Sequence, residues 1–560
     1  MSSTKLWINK LPNKDLLYEF VTYGFFPPLL AQILINKGFT DIKTAYSFLY
    51  PQLTDFSDPF TIPEMDLAVK RIYKALKKEE KILIYGDSDA DGIIGTFILY
   101  DFLKLFTSEI DWLIPSKNKE GYGFHAKFLP EIKAKGVKLI ITVDVGISAY
   151  ETVNSAKALG IDVIITDHHE VINKPDTITV TGKLTPPSSP FYHLCGTGVV
   201  FALIRALRTY LYKQGYFKEK NPPSLRKYLE LVSLATLADM VPLIGENRTI
   251  TYLGFRDFSS PSFVATQVLL ENFNIKHSLS EEDFYYRIIP KINATGRLGY
   301  PELAFKFLNA KDKETAQKHL SEIENLNLQR QEIETGIIKK FLPQIEKELK
   351  KFPFLFLILE NIPKGLLGLI ANRFKNLYNV PVIVVSLENG IGVGSARSPE
   401  DLNFFKVFSQ CKDLLIQYGG HKHAFGFQIE KDLIPQLKEK LKNILSSISW
   451  KDGSEKYLYI DAETTLAELL HHEILYALAQ LHPYGEGHSS PNLLVKNFKV
   501  KDIKILKDKH SKVVLKHGVN ELCAICFNKI LEQNQINLIV GNPFINTFTN
   551  TLELKIEDVK

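Results

Sequence analysis

The sequence is poor in cysteine, with four residues in a chain of 560. So few cysteines argue against a disulfide framework and favour a reducing, cytoplasmic environment. Cys523 and Cys526 are spaced like a metal-binding or redox pair, but they alternate with apolar residues in a strand-like run. Because a zinc site of this kind needs a second cysteine pair, we interpret both as residues of a buried strand.

The sequence also lacks long apolar runs. None reaches the length of a membrane span, and the first ten residues lack the apolar core of a signal peptide, so we expect no membrane segment. The phosphate-binding pattern GxxxxGK[ST] and the nucleophile pattern GxSxG are absent as well. Nucleotide-driven work and acyl-transfer chemistry are therefore not indicated.

The composition that remains is that of an ordinary folded protein, with 45% hydrophobic and 23% charged residues. A chain of this length exceeds a single core, so we expect three to five domains. The net charge is only +5, but eight lysines stand between Lys496 and Lys516 against Asp502 and Asp508. This run fits either a surface that follows a phosphate backbone or a solvated face of a lysine-rich protein.

The alternation of strands and helices divides the chain into units. After a helical lead-in over 1–64, short β-branched runs at Ile82 to Tyr85, Leu139 to Val143 and Val163 to Thr166 alternate with helix-length segments. This alternation predicts an α/β fold with a parallel sheet over 65–290. The other predicted units are a connector with one long amphipathic helix (291–350, the helix over 313–350), a second α/β domain (351–449), a polar linker (Trp450 to Lys456) and a small β-barrel (457–560).

Acidic and imidazole side chains follow all three runs. Because the carboxyl ends of parallel strands meet in one crevice, we expect these side chains to converge there. Converging carboxylates raise one another's pKa, and divalent cations would neutralise them. Any one of these residues alone would be interpreted as a helix cap or a surface histidine, but three such strand ends together favour a metal site for Mn²⁺ or Mg²⁺. The residues are Asp87, Asp89, Asp91, Asp144, Asp167, His168 and His169.

A further acid, Asp239, lies in the apolar run SLATLADMVPL, where an unpaired charge would be costly. Metal ligation and a helix end before Pro242 both explain it, and the residues alone do not decide between them. Two cations held by this set would suit hydrolysis of a phosphoester, since a pair of metals can activate a water and stabilise both oxygens of the displacement.

These residues stand in motifs with a familiar order. DADG, VDVG, DHH and ATLADMVPL resemble the four metal-binding motifs of the DHH phosphoesterases. ENR, INATGRLG, NLNLQRQEIE, GSAR, GGHKHAFGF and HPYGEGHSSP resemble the RecJ subgroup of that superfamily. The resemblance extends from about residue 80 to the C-terminus. It implies a parallel-sheet DHH domain, joined by the long helix to a DHH-associated α/β domain, and a C-terminal OB-fold.

The resemblance also implies site residues. The DHH domain would hold two divalent metals, with Asp144, His168 and His169 as catalytic residues. His169 would contact the scissile phosphate or orient a ligand. The implied metal ligands are Asp87, Asp89, Asp91, Asp144, His168 and Asp239.

A second implied set binds the DNA. Arginine suits a phosphate because its fork matches two oxygens, and glycine lets a phosphate approach the backbone closely. The implied contacts to the 5′ phosphate are Arg297, Ser395, Arg397, Gly419, Gly420 and His421. The OB-fold would contact the single strand through Lys496, Lys499, Lys501, Lys504 and Lys512. For the nearby aromatics Phe498 and Phe527 we expect core packing rather than base stacking.

The expected function is therefore a 5′-to-3′ exonuclease that degrades single-stranded DNA to mononucleotides in repair and recombination. The expected partners are single-stranded DNA, single-strand-binding protein and a RecQ-type helicase, and we expect a monomer. Two alternatives stay open: a phosphodiesterase for short oligonucleotides or cyclic dinucleotides, and a non-catalytic DNA-binding replication factor.

Overall fold

The computed structural model describes residues 5–217, 221–273, 279–399, 402–448, 457–532, 536–546 and 551–560. The linker predicted at Trp450 to Lys456 lies outside this set. Among the described helices, none combines the length and the apolar character that crossing a bilayer requires. The chain forms two α/β units, a long helix between them, and a C-terminal unit of mostly antiparallel strands.

The lead-in does not stand alone. It contains β1 (Leu6–Asn9), α1 (Lys14–Thr22), α2 (Pro28–Asn36) and α3 (Ile42–Leu49), followed by α4 (Met65–Lys77). The apolar faces of α1 to α3 pack into the core of the C-terminal unit, and β1 pairs in parallel with β12 (Tyr457–Ile460). The first and last parts of the chain therefore share one core.

The first α/β unit is built on five parallel strands in the order β3-β2-β4-β5-β6. Because helices cover both faces, β2 and β4 are buried along almost their whole length. The strand order changes direction at β2, so the carboxyl ends of β2 and β4 border the crevice where such sheets bind ligands. The strands are β2 (Lys81–Gly86), β3 (Ile110–Leu113), β4 (Val137–Val143), β5 (Asp162–Thr166) and β6 (Ile178–Val180).

Besides α4, further helices of the described residues accompany this sheet or extend the unit beyond it. They are α5 (Ala90–Leu103), α6 (Leu129–Ala134), α7 (Tyr150–Ala158), α8 (Gly196–Lys213), α9 (Leu229–Ala238), α10 (Glu246–Asp257), α11 (Val264–Asn272), α12 (Glu281–Asp283), α13 (Ile289–Leu298) and α14 (Pro301–Leu308). Most of their buried side chains join the strands in one large core.

The long helix predicted over 313–350 is observed as α15 (Lys313–Leu349). Its 37 residues correspond to about 55 Å at the usual rise of an α-helix. Ala316, Leu320 and Ile323 are buried in the core of the first unit, whereas Ile337 and Ile345 are buried in the core of the second. One helix thus takes part in both cores and sets the separation of the two α/β units.

The second α/β unit has a five-stranded sheet in the order β10-β11-β9-β8-β7, in which only β7 and β8 run parallel. Its strands are β7 (Leu355–Glu360), β8 (Val382–Glu388), β9 (Ile391–Arg397), β10 (Gln417–Gly420) and β11 (Ala424–Glu430), and its helices are α16 (Lys364–Tyr378), α17 (Phe404–Ser409) and α18 (Ile434–Ser447).

The C-terminal unit is a seven-stranded sheet in the order β13-β14-β18-β19-β17-β16-β15. Most neighbouring strands are antiparallel, and β15 is an edge strand. Its elements are β13 (Ala462–Thr465), α19 (Leu466–Leu469), α20 (His472–Ala479), β14 (Leu493–Lys496), β15 (Lys499–Leu506), β16 (His510–His517), β17 (Asn520–Cys526), β18 (Ile539–Asn546) and β19 (Thr551–Val559).

Arg248 of the ENR motif fastens three parts of the chain together. Its buried guanidinium donates to the carbonyl oxygen of Phe48 in the lead-in (2.9 Å) and to that of Gln480 in the C-terminal unit (2.8 Å). The carbonyl oxygens of Leu481 and Pro483 accept further hydrogen bonds from it. Burial lowers the pKa of Arg248 to about 9, so the side chain still carries its charge at neutral pH.

We expect Arg248→Met to lower the free energy of unfolding by about 3 kcal/mol, because buried carbonyl oxygens lose their hydrogen-bond donor. That loss should lower the Tm in calorimetry by roughly 5 °C or more. Arg226→Met removes an exposed arginine that pairs with Asp257 and should change the Tm little. Equal Tm values for the two variants would contradict the role assigned to Arg248.

Candidate metal centre and phosphate cleft

The loop after β2 carries three aspartates in GDSDADG. Asp89 caps α5, and its Oδ1 accepts a hydrogen bond from the backbone N–H of Gly92 (3.2 Å). Asp91 lies in the first turn, where its two carboxylate oxygens accept from the backbone N–H groups of Gly196 (2.7 Å) and Thr197 (2.9 Å) at the start of α8. The positive end of the α8 dipole therefore holds Asp91 in place.

Asp144 follows β4 with φ +60°, a left-handed conformation that is strained for most residues. The start of α8 approaches it so closely that a Cβ at Gly196 would lie 2.6 Å from the Cβ of Asp144. Oδ1 of Asp144 is 3.1 Å from Nε2 of His168. Backbone strain and a required glycine thus both serve to place this carboxylate in the crevice.

The end of β5 supplies Asp167, His168 and His169. Asp167 is fully buried and accepts hydrogen bonds from the backbone N–H groups of Ile147, His168 and His169. Nδ1 of His169 lies 2.7 Å from its Oδ1. Although burial opposes ionisation, these bonds hold the pKa of Asp167 below its usual range. Asp167 therefore orients the histidine pair.

The two histidines have opposite electrostatic environments. Burial, and then the neighbouring His169, lowers the pKa of His168 to about 4. Burial also disfavours charge on His169, but the hydrogen bond and charge of Asp167 raise its pKa to about 9. In the absence of cations, His168 is consequently an uncharged nitrogen donor at neutral pH, whereas the His169 ring carries a second proton and a positive charge.

The structure brings all of the predicted metal residues together. Possible ligand atoms lie within 4.8 Å of one another in three overlapping groups, in which Asp144 and His168 each occur twice. This overlap is typical of two adjacent cation positions that share ligands. The groups are Asp87, Asp89 and Asp144; Asp91, His168 and Asp239; and Asp144, His168 and His169.

Two buried oxygens support cation binding at this site. Oδ1 of Asp144 and Oδ2 of Asp239 have no hydrogen bond of good geometry from any described residue, although both lie near Nε2 of His168 (3.1 and 3.5 Å). Asp239 is also the C-cap of α9, where the helix dipole disfavours a negative charge. Such oxygens are costly to bury unless a cation binds them, and carboxylates with imidazole fit Mn²⁺ or Mg²⁺.

Burial and mutual repulsion act on the carboxyl groups together. Burial, followed by the charges of neighbouring aspartates, raises the pKa of Asp144 and Asp239 well above the usual range. The pKa values of Asp87 and Asp91 rise to about 6, mainly through burial. Without cations the site therefore retains protons, and cation binding must displace them.

Sequence reasoning missed Lys117. Its Nζ lies 2.6 Å from Oδ2 of Asp87 and 3.3 Å from Oδ2 of Asp89. Burial opposes its charge, but Asp87 and Asp89 hold the pKa of Lys117 above its ordinary value. Lys117 follows β3, a strand that was not predicted. Its position at a fourth strand end was the signal that could have identified it.

Tyr122 belongs to the same loop and was missed as well. Its hydroxyl lies 3.3 Å from Nδ1 of His169, and 52% of the residue is exposed. An exposed aromatic ring therefore lies directly beside the histidine pair.

Two arginines face each other across the boundary of the α/β units. Arg297, at the end of α13, donates from Nη1 to the carbonyl oxygen of Gly365 (3.1 Å). Arg397, at the end of β9, donates to Oγ of Ser395 (3.1 Å) and to the carbonyl oxygen of Ala396 (2.8 Å). No described carboxylate lies within ion-pair distance of either guanidinium. Burial, and then the charge of Arg297, lowers the pKa of Arg397. Since none of the described carboxylates pairs with them, the two arginines form a cationic pocket suited to an anion.

The predicted glycine-rich residues lie on an exposed hairpin of the second unit. Gly420 has φ +146°, and a Cβ there would lie 2.4 Å from the carbonyl oxygen of Ala424, so the turn requires glycine. Gly419 and His421 are exposed beside it. Lys183 lowers the pKa of Glu170 most, and the charge of His421 contributes to the same shift, so His421 lies in the neighbourhood of Glu170, the residue that follows the histidine pair.

The five predicted lysines of the C-terminal unit fall into two classes. Lys496 pairs with Glu463, and Lys501 pairs with Glu521. Lys499, Lys504 and Lys512 have no acidic partner among the described residues. They lie on β15 and β16, remote in the chain from the metal centre.

The cross-strand neighbours of these free lysines are also lysines. Lys504 stands opposite Lys512, and Lys499 stands opposite Lys516. Like charges directly opposite each other destabilise a sheet, so this face has an excess of positive charge that an anion would relieve.

The expectation of core packing was wrong for Phe527. Its side chain follows β17, is 51% exposed and meets His510 edge to face at 5.5 Å. Phe498, by contrast, packs against the core as expected. Phe527 follows an alternating run whose outward residues include Cys523 and Ile525, and the sequence alone did not show which face was outward.

Comparison with known proteins places these features in one context. The DHH family, N-terminal domain, matches residues 81–236, the DHHA1 domain matches 351–447, and the RecJ OB domain matches 460–558. The single-stranded-DNA-specific exonuclease RecJ of Bacillus subtilis is 31% identical over 564 residues, covering 98% of this chain and 70% of the relative. RecJ of Escherichia coli is 29% identical, covering 90% of this chain and 89% of the relative.

Crystal structures give the same result. RecJ from Thermus thermophilus in complex with Mn²⁺ superimposes with a TM-score of 0.83 and 26% identity, covering 100% of this chain and 80% of that one. Its complex with Mg²⁺ gives a TM-score of 0.76, also with 26% identity, over 99% of this chain and 78% of that one.

Because the carboxyl groups have raised pKa values, protons compete with the cation for them. We therefore expect the affinity for Mn²⁺ to fall as the pH is lowered from about 8 through about 6. Each displaced proton steepens the loss by roughly tenfold per pH unit below the pKa. Calorimetric titration with Mn²⁺ alone measures this. Asp176→Asn, at an exposed acid outside the site, should leave the profile unchanged. An affinity that does not depend on pH would contradict the raised pKa values of Asp87 and Asp91.

Proposed function

Since the chain belongs to the RecJ family of single-stranded-DNA-specific exonucleases, we propose that it hydrolyses single-stranded DNA from the 5′ end to mononucleotides, using Mn²⁺ or Mg²⁺. One observation carries this proposal. A cluster of carboxylates and histidines, in which possible metal ligands are shared, lies on one side of a cleft, and an arginine pair without an acidic partner in the described part of the chain lies on the other. The first suits a scissile phosphodiester, and the second suits a terminal phosphate.

In this proposal, two cations are held by Asp87, Asp89, Asp91, Asp144, His168 and Asp239. When bound, they lower the pKa of a water and neutralise charge that develops on the phosphodiester. His168 serves as a ligand because it is neutral, and Asp91 is kept in place by α8. His169 stays protonated through Asp167, so it can donate a hydrogen bond to an oxygen of the scissile phosphate. Tyr122 supports the ring of His169 from the solvent side.

The 5′ phosphate would bind between the α/β units. Arg297 comes from the first unit, and Ser395 and Arg397 come from the second, so the pocket forms only when both are in place. Gly419, Gly420 and His421 would contact the strand from the opposite wall. A terminal phosphate satisfies both guanidinium groups, whereas an internal phosphate carries less charge and a further nucleotide. This difference supports attack from the 5′ end.

Beyond the cleft, the single strand would follow the outer face of β15 to β17. Lys499, Lys504 and Lys512 are free to contact phosphates, whereas Lys496 and Lys501 would first have to leave their glutamate partners. The exposed ring of Phe527 offers a surface on which a base can stack.

The cellular setting follows from the family. We propose that the protein acts in DNA repair and recombination in the cytoplasm, with single-strand-binding protein and a RecQ-type helicase as partners. We also propose a monomer, because one chain supplies every residue of the cleft.

The two alternatives are less well supported. A phosphodiesterase for short oligonucleotides or cyclic dinucleotides does not require a third unit with a lysine-rich face. A non-catalytic replication factor does not require a cluster of six possible metal ligands, two of which have a buried carboxylate oxygen without a hydrogen-bond donor among the described residues. Comparing degradation of long strands with that of dinucleotides separates the first alternative from the proposal.

We expect Asp144→Asn to reduce hydrolysis roughly a thousandfold or more while leaving affinity for single strands within about twofold. Asparagine tolerates the left-handed backbone at this position, so the fold should be preserved. Activity is measured on strands labelled at the 5′ or the 3′ end, and binding by fluorescence anisotropy. With Mn²⁺ or Mg²⁺, the wild type should release a labelled mononucleotide at once from the 5′ label only. Cleavage retained by the variant would contradict the metal assignment, and immediate release from the 3′ label would contradict the polarity.

We expect the double variant Lys504→Gln and Lys512→Gln to bind long single strands more weakly and to lower the salt slope of binding by about 0.7 per lysine. Hydrolysis of strands too short to reach the C-terminal unit should not change. Lys70→Gln, at an exposed position of α4, serves as the control because this lysine pairs with Asp66. A salt slope equal to that of the wild type would show that the strand takes another path.

A further inference from the structure

The loop after β3, residues 115–122, contacts the metal centre and the second α/β unit with adjacent side chains. Lys117 binds the carboxylates of Asp87 and Asp89. The side-chain amide of Asn118 points the other way: its Nδ2 donates to the carbonyl oxygen of Arg297, and its Oδ1 accepts from the backbone N–H of Gly365, both at 3.1 Å. Asn118 therefore bridges a residue of each unit.

A third hydrogen bond closes a ring among these residues. Nη1 of Arg297 donates to the carbonyl oxygen of Gly365 at 3.1 Å. The three groups are packed tightly, since a Cβ at Gly365 would lie 2.6 Å from the carbonyl oxygen of Arg297, and one at Gly299 would lie 3.1 Å from Nδ2 of Asn118. The two backbones are consequently in close contact at this point, with no room for a side chain between them.

On the first unit, Arg297 has a fixed position relative to the metal centre. The side-chain oxygen of Asn293 accepts from the backbone N–H of Ala90 (2.9 Å), in the loop that carries the aspartates. A Cβ at Gly296 would lie 1.7 Å from the carbonyl oxygen of Ser88. Helix α13 is thus pressed against that loop, and the first unit alone determines the separation of Arg297 from the cation ligands.

On the second unit, α16 carries the matching half of the phosphate pocket. Gly365 is in its first turn and Gly368 is one turn further on. A Cβ at Gly368 would lie 2.5 Å from Nη2 of Arg397 and 3.3 Å from Oγ of Ser395. Whatever fixes the first turn of α16 therefore fixes Ser395 and Arg397 as well.

We propose that Asn118 is a positioning residue that holds the two halves of the 5′-phosphate pocket at a set distance from the metal centre, and thereby limits the product to one nucleotide. The inference rests on the proposed function and adds to it the origin of the product length. An amide suits the task because it presents one donor and one acceptor, which match the carbonyl of Arg297 and the N–H of Gly365. Leucine has the same size and can form neither bond, and aspartate can form only the bond to Gly365.

The test compares Asn118→Leu and Asn118→Asp with Asn154→Leu, the same change at an exposed residue of α7. Substrates are 3′-labelled single strands of one sequence with a 5′ phosphate or a 5′ hydroxyl. We expect Asn118→Leu to raise KM for the phosphorylated strand roughly tenfold, with kcat within about twofold. Its preference for the phosphate should fall, and the labelled strands should shorten by two nucleotides in some steps instead of by one in every step. Asn118→Asp should show a smaller change in the same direction.

Each other outcome decides against the inference. Unchanged kinetics and products would show that Asn118 does not set the pocket. A structural role would be shown if Asn118→Leu lost activity equally on both substrates and still released only mononucleotides. It would also be shown if Asn118→Leu had an altered Tm and altered Mn²⁺ binding while Asn118→Asp behaved as the wild type. If the wild type degraded neither strand, the proposed function itself would fail. A fully active wild type beside an unaltered Asn118→Leu would reject only the positioning role.

Discussion

The rest of the structure depends on one constraint, the repulsion among carboxylates that are brought together where the strand order of the parallel sheet changes direction. Five aspartates come within reach of shared cations there, and burial raises the pKa of most of them. The fold holds Asp91 with the α8 dipole and Asp144 with a strained backbone instead of neutralising them with arginine. A protein accepts such a cost only where cations complete the site, and the surrounding helices, glycines and histidines all serve to keep this geometry.

Around that centre, the chain assigns separate tasks to neighbouring residues. Two consecutive histidines differ in charge because only the ring of His169 bonds to Asp167, so His168 is suited to a cation and His169 to a phosphate. The two arginines that would read a chain end come from different units, and α15 belongs to both cores. A terminal phosphate would therefore contact both arginines only when the two α/β units are correctly placed relative to each other.

The sequence allowed prediction of those parts that depend on local patterns. Strong β-branched runs located β2, β4 and β5, and rules for parallel sheets brought their terminal acids together. The run IDWL of β3 is only four residues long, is interrupted by an aspartate and is only partly buried, so that strand was overlooked, and Lys117 and Tyr122 were overlooked with it. Packing of the lead-in against the C-terminal unit joins residues more than 400 positions apart, as when Trp7 donates to Asp558, and no local pattern encodes such pairs. The outward face of β17 was likewise decided by neighbours distant in the sequence.

The shared core of the two chain ends has a consequence for synthesis on the ribosome. Helices α1 to α3 are made well before the elements that cover them, since β13 and α20, which contact α2, follow only after more than 400 further residues. At an elongation rate of about 5–20 residues per second, this interval is on the order of a minute. During that time the nascent N-terminal segment exposes leucine and phenylalanine side chains with nothing to cover them. The α/β units can mature meanwhile, so the C-terminal unit closes last, on helices that were made before either of them.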